Sequence, residues 1–227
     1  YAIEEDCQLA SCGISYGIDK GDIQAQNCVV QENGTHFTIV DQLRKERVKK
    51  TFIPLFGLHQ VKNALGVYGL CRRLGVPIET ILEAFSTYKG VKRRCEFKGT
   101  LNGAPVFSDY GHHPTELKAT FEGLSLHQKK RLTVVFEPHK FTRTKSFFAA
   151  FVDVLSSVDE LILLDTYAAT EEYDFEGSSE KLALALGIQV TQEKDLKTVL
   201  KGRSQTILFI GAGNIDQICH TCLSSND

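Results

Sequence analysis

The chain has no methionine and no tryptophan among its 227 residues and opens on Tyr1, so it is expected to be a piece of a longer polypeptide. No stretch approaches the ~20 consecutive apolar residues that cross a bilayer, and no charged-then-apolar leader opens the chain. Both absences point to a soluble, cytoplasmic protein without membrane insertion. Excess charge is also missing: 26 Lys and Arg against 28 Asp and Glu leave a net charge of -2. Phosphate backbones are held by clustered Lys and Arg, so no nucleic acid partner is expected. Arg44 to Lys50 and Lys129 to Arg131, the densest charged runs, read as solvated turns or strand entries. The 7 cysteines are odd in number and lack framework spacing, which fits a reducing compartment better than a disulfide scaffold. Cys219 and Cys222, the one close pair, fall in a predicted helix and read as structural.

What is present is a 42% hydrophobic content, ample for a buried core in one large domain or two small ones. Gly17 to Pro54 reads as short strands, Ala25 to Gln31 and His36 to Val40, around an Glu32-Asn33-Gly34 turn, a small antiparallel element. Leu58, Val61, Leu65 and Tyr68 fall at helical spacing, and Pro77 opens a second helix with Ile78, Ile81, Leu82 and Phe85 inward. After Arg94 strands alternate with helices, the pattern of a mostly parallel sheet covered on both faces. Strands fit Cys95 to Leu101, Ala104 to Phe107, Leu132 to Phe136, Glu160 to Leu164 and Thr206 to Ile210. Helices fit Thr115 to Leu126, Lys145 to Ser157, Ser179 to Leu186, Leu196 to Lys201 and Asn214 to Cys222. The expected class is α/β: a Rossmann-like, mostly parallel sheet domain at 95–227, preceded by a partial α/β domain at 1–94. The hinge is expected between Gly90 and Arg94.

Two polar runs stand where strands give way to helices: Asp109-Tyr110-Gly111-His112-His113-Pro114 and Pro138-His139-Lys140-Phe141-Thr142-Arg143-Thr144. Open α/β sheets bind ligands at that carboxyl edge. The two runs together offer a carboxylate, a phenol, three imidazoles, an ammonium and a guanidinium, which suits an anionic, multi-part substrate. Asp109 could accept from ribose hydroxyls or cap a helix. His139, Lys140 and Arg143 could hold the carboxylate of an amino acid. A metal trio of His112, His113 and His139 is disfavoured, because neighbouring His point differently and no carboxylate completes it. On the first helix His59, Lys62, Asn63 and Gly66 share the face opposite the apolar stripe. A small Gly beside an amide there leaves room for a flat ring, and an Asn side chain can read adenine. Arg93 and Arg94 at the hinge could clamp phosphate oxygens. Gly211-Ala212-Gly213 invites a dinucleotide-binding reading, but Asp216 stands at the third glycine position, so a tight turn into a helix is simpler.

These runs resemble the carboxy-terminal part of the Mur ligases, together with Gly57-Leu-His-Gln-Val-Lys-Asn63, Gly90-Val-Lys-Arg-Arg94, Leu164-Asp-Thr-Tyr-Ala-Ala-Thr-Glu171 and Gly211-Ala-Gly-Asn214. The similarity runs from about Gly17 to Ile218. It implies an ATP-dependent, Mg2+-assisted carboxylate-amine ligase whose branch adds L-alanine to UDP-N-acetylmuramate, with the phosphate-binding loop and metal ligands in upstream domains of the same polypeptide. It further implies that Asn63, Gln60, Arg94 and Asp109 bind ATP, that Tyr110, His112, His139, Lys140 and Arg143 line the amino-acid site, and that Arg94, His139 and Arg143 serve catalysis. Two departures stand out: the family has Asn where this chain has Gln60, and usually Arg where it has Lys140. Alternative readings are a family branch that attaches a whole tripeptide to the same sugar, and a non-catalytic nucleotide-binding module.

Overall fold

The structure is a computed structural model that describes residues 2–4, 13–31, 33–128 and 131–224. Glu32, Lys129 and Lys130, named above, lie outside the described residues. The chain divides into two compact units, Tyr1–Gly90 and Val91–Asp227. Among the described residues no helix is long and apolar enough to cross a membrane.

The first unit holds β1 (Ala2–Glu4), β2 (Ile14–Ile18), β3 (Ile23–Gln31), β4 (Gly34–Asp41), β5 (Glu46–Ile53), α1 (Leu58–Arg73) and α2 (Ile78–Thr87). Its strands form one sheet in the order β1-β2-β3-β4-β5. Strands β1, β2 and β3 pair parallel, whereas β3 with β4 and β4 with β5 are antiparallel. The sheet is therefore mixed and larger than the small antiparallel element the sequence suggested. Its β5 is built from much of the Arg44 to Lys50 run. Charges on an outermost strand discourage pairing with another chain, which accounts for lysines where a core strand would carry Val or Ile. Val61, Leu65 and Tyr68 of α1, with Ile81 and Phe85 of α2, close the core over Ile23, Ala25, Phe37, Ile39 and Ile53. Leu58, expected in that stripe, is exposed.

The second unit holds β6 (Glu96–Leu101), β7 (Ala104–Asp109), α3 (Pro114–Gln128), β8 (Leu132–Glu137), α4 (Phe141–Ser146), α5 (Phe148–Ser156), β9 (Glu160–Leu163), α6 (Ser179–Leu186), α7 (Leu196–Leu200), β10 (Thr206–Gly211) and α8 (Ile215–Leu223). The sheet order is β6-β7-β10-β8-β9. Only β6 runs antiparallel to its neighbour; β7, β10, β8 and β9 pair parallel. Strand β10, last in sequence, lies in the middle, buried at every position, as a two-face-covered strand must be. The helix read as Lys145 to Ser157 is two helices that part at Phe147. The first begins at Phe141, so Thr142, Arg143 and Thr144 sit on a helix rather than in a turn. Cys219 and Cys222 are buried in the core with Val106, Val135, Phe209 and Ile218. Burial lifts the Cys219 thiol to about 12, which keeps it protonated and unreactive.

Candidate functional site

The insertion of β10 between β7 and β8 brings three strand ends together. Ile210 is level with Asp109, and Gly211 with Glu137, so the loops that leave Asp109, Glu137 and Gly211 open on one edge of the sheet. Both polar runs lie there, as their positions after β7 and β8 require.

The first loop is built around Asp109. One of its oxygens accepts from Gly111 N at 2.6 Å and the other from Cys95 N at 2.7 Å. The side chain is 4% exposed, and burial raises its pKa despite those two donors. The carboxylate expected to face a ribose is thus spent on holding the chain on either side of it. Arg93, weighed with Arg94 as a phosphate ligand, also works inward. Its Nη2 donates to Gly211 O (3.0 Å) and Gly213 O (3.2 Å), its guanidinium lies 4.7 Å from the Tyr110 ring centre, and its carbonyl accepts from Tyr110 N. Arg94 turns outward, its side chain 50% exposed and 4.0 Å from Glu116.

Glu116, not singled out in the sequence, organises the next turn. One carboxylate oxygen accepts from His112 N (3.0 Å) and His113 N (3.2 Å) at the start of α3. Burial would raise its pKa, but those donors and the neighbouring His112 and Arg94 hold it below the ordinary value. Such a carboxylate satisfies N–H groups that a helix start leaves unpaired.

The two imidazoles of the edge are fixed in opposite tautomers. His112 Nδ1 lies 3.0 Å from Tyr110 O; a carbonyl only accepts, so Nδ1 carries a proton, and in the neutral ring the lone pair is on Nε2. His139 Nδ1 lies 3.0 Å from Arg143 Nη1; a guanidinium only donates, so Nδ1 is the acceptor and Nε2 carries the proton. The ring centres are 6.1 Å apart. Burial first, then Arg143, His112 and Lys140, lowers the His139 pKa and keeps that ring neutral. Lys140, between these groups, has φ 72°, a conformation costly outside glycine and held by its surroundings. His113 is turned aside: its Nδ1 accepts from Thr115 N and its ring packs edge-on against Phe147. Among the described residues no group of three or more His, Cys, Asp or Glu is arranged to hold a metal ion.

The strap after β9 keeps Lys140 in place. Tyr167 N donates to Pro138 O at 2.8 Å and Lys140 N to Tyr167 O at 2.9 Å, so Tyr167 brackets His139 from both sides. The two rings lie nearly parallel, 5.5 Å apart at an angle of 14°. Further along, Glu171 accepts from Thr142 N (3.0 Å) and Thr142 Oγ1 (2.5 Å) at the start of α4. The Leu164 to Glu171 motif is thus the clamp on the Pro138 to Thr144 run.

Beneath these loops Glu137 is 5% exposed and accepts from Ile215 N at the start of α8. Burial overrides that donor and Asn214 N and lifts its pKa to about 7. The glycines above it are there for space: a Cβ on Gly213 would collide with the Glu137 carboxylate and the Tyr167 ring, and one on Gly211 with Glu137 O. This close packing accounts for Gly211-Ala212-Gly213 without a dinucleotide. Glu137 escaped notice in the sequence because a lone Glu ending an apolar strand carries no pattern.

On the first unit Asn63 is exposed on α1, its amide 3.4 Å from Gln60 Oε1. The room expected beside Gly66 is taken by this chain's own Tyr16, whose ring atoms would stand 3.2 Å from a Cβ at Gly66. A flat ring does pack there, but it is a side chain.

Comparison with known proteins matches residues 93–213 to the family described as Mur ligase, glutamate ligase domain. A UDP-N-acetylmuramate--L-alanine ligase of Aquifex aeolicus is 35% identical over 216 residues, 92% of this chain and 47% of that protein. One of a Hydrogenobaculum species is 36% identical over 213 residues, 91% and 47% of the two chains. Among solved structures, UDP-N-acetylmuramate-alanine ligase of Thermotoga maritima superposes with a TM-score of 0.73 at 22% identity, covering 93% of this chain and 47% of that one. The chain spans about half the length of the curated relatives it matches.

Proposed function

The chain belongs to the Mur ligase family, and on that premise we propose that it is the carboxy-terminal half of an ATP-dependent ligase joining L-alanine to the carboxylate of UDP-N-acetylmuramate. That reaction is the first stem-peptide step of peptidoglycan synthesis, carried out in the cytoplasm. In this reading Val91–Asp227 is the Rossmann-like domain of the enzyme.

The observation that carries the proposal is the paired tautomer of His112 and His139 beside Lys140 and Arg143. An amino acid at neutral pH is a zwitterion. It needs an acceptor for its ammonium and donors for its carboxylate, a few Å apart. His112 Nε2 is the acceptor. His139 Nε2–H and the Lys140 and Arg143 cations are the donors, with Tyr110 beside them.

A carboxylate is a poor electrophile, and ATP supplies the leaving group: the muramyl carboxylate takes the terminal phosphoryl group and the amine displaces it, giving amide, ADP and phosphate. The residues of this chain position reactants and balance charge rather than form bonds. Arg94 is assigned to phosphate oxygens, through a permanently charged fork turned to solvent. Asn63 and Gln60 keep the adenine assignment on α1. Asp109 acts by shaping the loop that carries Tyr110 and His112, so ribose recognition is secondary to that role. Mg2+ accompanies ATP in such reactions; among the described residues no group of three or more His, Cys, Asp or Glu is arranged to hold it.

The test is phosphate release by the full-length polypeptide with ATP, Mg2+ and UDP-N-acetylmuramate, with L-Ala, Gly, L-Ser or a stem tripeptide added in turn. Release that depends on L-Ala supports the reading. Release with the tripeptide alone moves the chain to the tripeptide-adding branch, and none with any acceptor makes it a non-catalytic module.

A further inference from the structure

Amide formation releases protons as well as phosphate, and the family assignment does not say which group receives them. We infer that His112 Nε2 is the base that takes a proton from the attacking amine, with Glu116 as its positioning residue. This rests on the function proposed above.

Three features of the first loop support the assignment. The Nδ1 proton is committed to Tyr110 O at 3.0 Å, which in the neutral ring puts the lone pair on Nε2, aimed by that bond. The Glu116 carboxylate lies 3.8 Å from the same Nδ1 and stabilises the imidazolium once it forms. The same carboxylate accepts from His112 N, so the backbone carrying the ring is held by the group that balances its charge. An imidazole with a carbonyl and a carboxylate at Nδ1 and a free Nε2 is the arrangement by which proteins make histidine a base. His139 cannot fill the role, because Arg143 occupies its Nδ1 and its Nε2 is a donor. The charged and titratable groups facing His112 are Glu116 from α3, Tyr110 from its own loop, and His139 from the β8–α4 loop. Of these Glu116 favours the imidazolium.

The step balances without a further reagent. His112 Nε2 takes one proton from the bound ammonium, and the neutral amine nitrogen then attacks the acyl carbon; the C–N bond forms, the bond from that carbon to the phosphate oxygen breaks, and the second nitrogen proton leaves on the phosphate. His112 passes its proton to water after the product departs.

The experiment separates the two half-reactions in the full-length polypeptide. Acyl phosphate is trapped by hydroxylamine, an amine already neutral at the assay pH, and amide formation is followed with L-alanine. His112→Gln is expected to retain hydroxamate formation while amide formation at saturating L-alanine falls about 10²- to 10³-fold. Glu116→Gln should lose about ten-fold in the same step, with the acidic limb of its pH–rate profile moved to lower pH, because the imidazolium loses its counter-charge. Amide formation by His112→Gln at the wild-type rate overturns the inference, and so does an equal loss of both half-reactions. A wild-type polypeptide that gives hydroxamate but no alanine amide refutes the functional reading itself, and this inference with it.

Discussion

Glu137 is the buried group whose ionisation should be felt most in stability. It is 5% exposed beneath the Gly211 to Asn214 turn, and its carboxyl ionises near 7 instead of 4.5. The folded unit therefore holds a proton that the unfolded chain releases two to three pH steps earlier. Stability from this group is complete below 4.5, is lost as pH rises toward 7, and is flat above. At ~1.4 kcal/mol per pH step the difference is ~3 kcal/mol, a large share of the 5 to 15 kcal/mol of a typical domain. Glu137→Gln removes the titration while its amide oxygen still accepts from Ile215 N. Urea unfolding of both proteins between pH 4.5 and 8 supplies the test, and groups common to both cancel in the difference. The expected result is a wild type that loses ~3 kcal/mol relative to the variant across that range. Parallel profiles would refute the reasoning. They would mean that Asn214 N–H, Ile215 N–H and the nearby Arg93 charge hold the ionised carboxylate as well as water does.

Asp109→Asn places an amide NH2 against a backbone N–H that now has an acceptor, and should cost ~1–3 kcal/mol in urea unfolding; an unchanged midpoint with a raised KM for ATP would return Asp109 to the ribose role. In nitrogen NMR of histidine-labelled protein, His139 should show an unprotonated Nδ1 and a protonated Nε2, with a titration midpoint below the ordinary 6.5; a protonated Nδ1 would contradict the Arg143 bond. Tyr167→Leu removes the ring stacked on His139 and should raise KM for L-alanine about ten-fold with KM for ATP unchanged, whereas Tyr167→Phe keeps both. Equal effects of the two substitutions would assign the role to the phenol oxygen instead.

The local pattern of the chain was legible where one periodicity ruled. Ala104 to Phe107, Leu132 to Phe136 and Thr206 to Ile210 are apolar runs too short for helices, and each is a strand. The polar runs that follow β7 and β8 had to lie at one edge, because parallel strands end together. The order of the strands was not legible: β10 takes the centre through pairings with residues 101 positions away in β7 and 74 away in β8, and nothing in its own letters names its neighbours. Site roles divide in the same way. His112, His139 and Arg143 could be picked out as chemistry without a structural need. Their tautomers depend on partners fixed only in three dimensions. Asp109 reads as a ribose ligand or a helix cap and is buried against the chain on either side of it, Arg93 reads as a clamp and is a brace, and Gly66 reads as space and is filled by Tyr16. In each case the competing claim was a backbone group or ring that the folded chain needed to satisfy.

In the proposed reaction ATP activates the sugar carboxylate for an L-alanine amine. UDP-N-acetylmuramate labelled with 18O in both carboxylate oxygens, turned over by the full-length polypeptide with ATP, Mg2+ and L-alanine, tests it most directly. The expected result is one 18O in each phosphate released and one in each amide, with release dependent on L-alanine. Phosphate free of label, or labelled phosphate formed at the same rate without L-alanine, would contradict it.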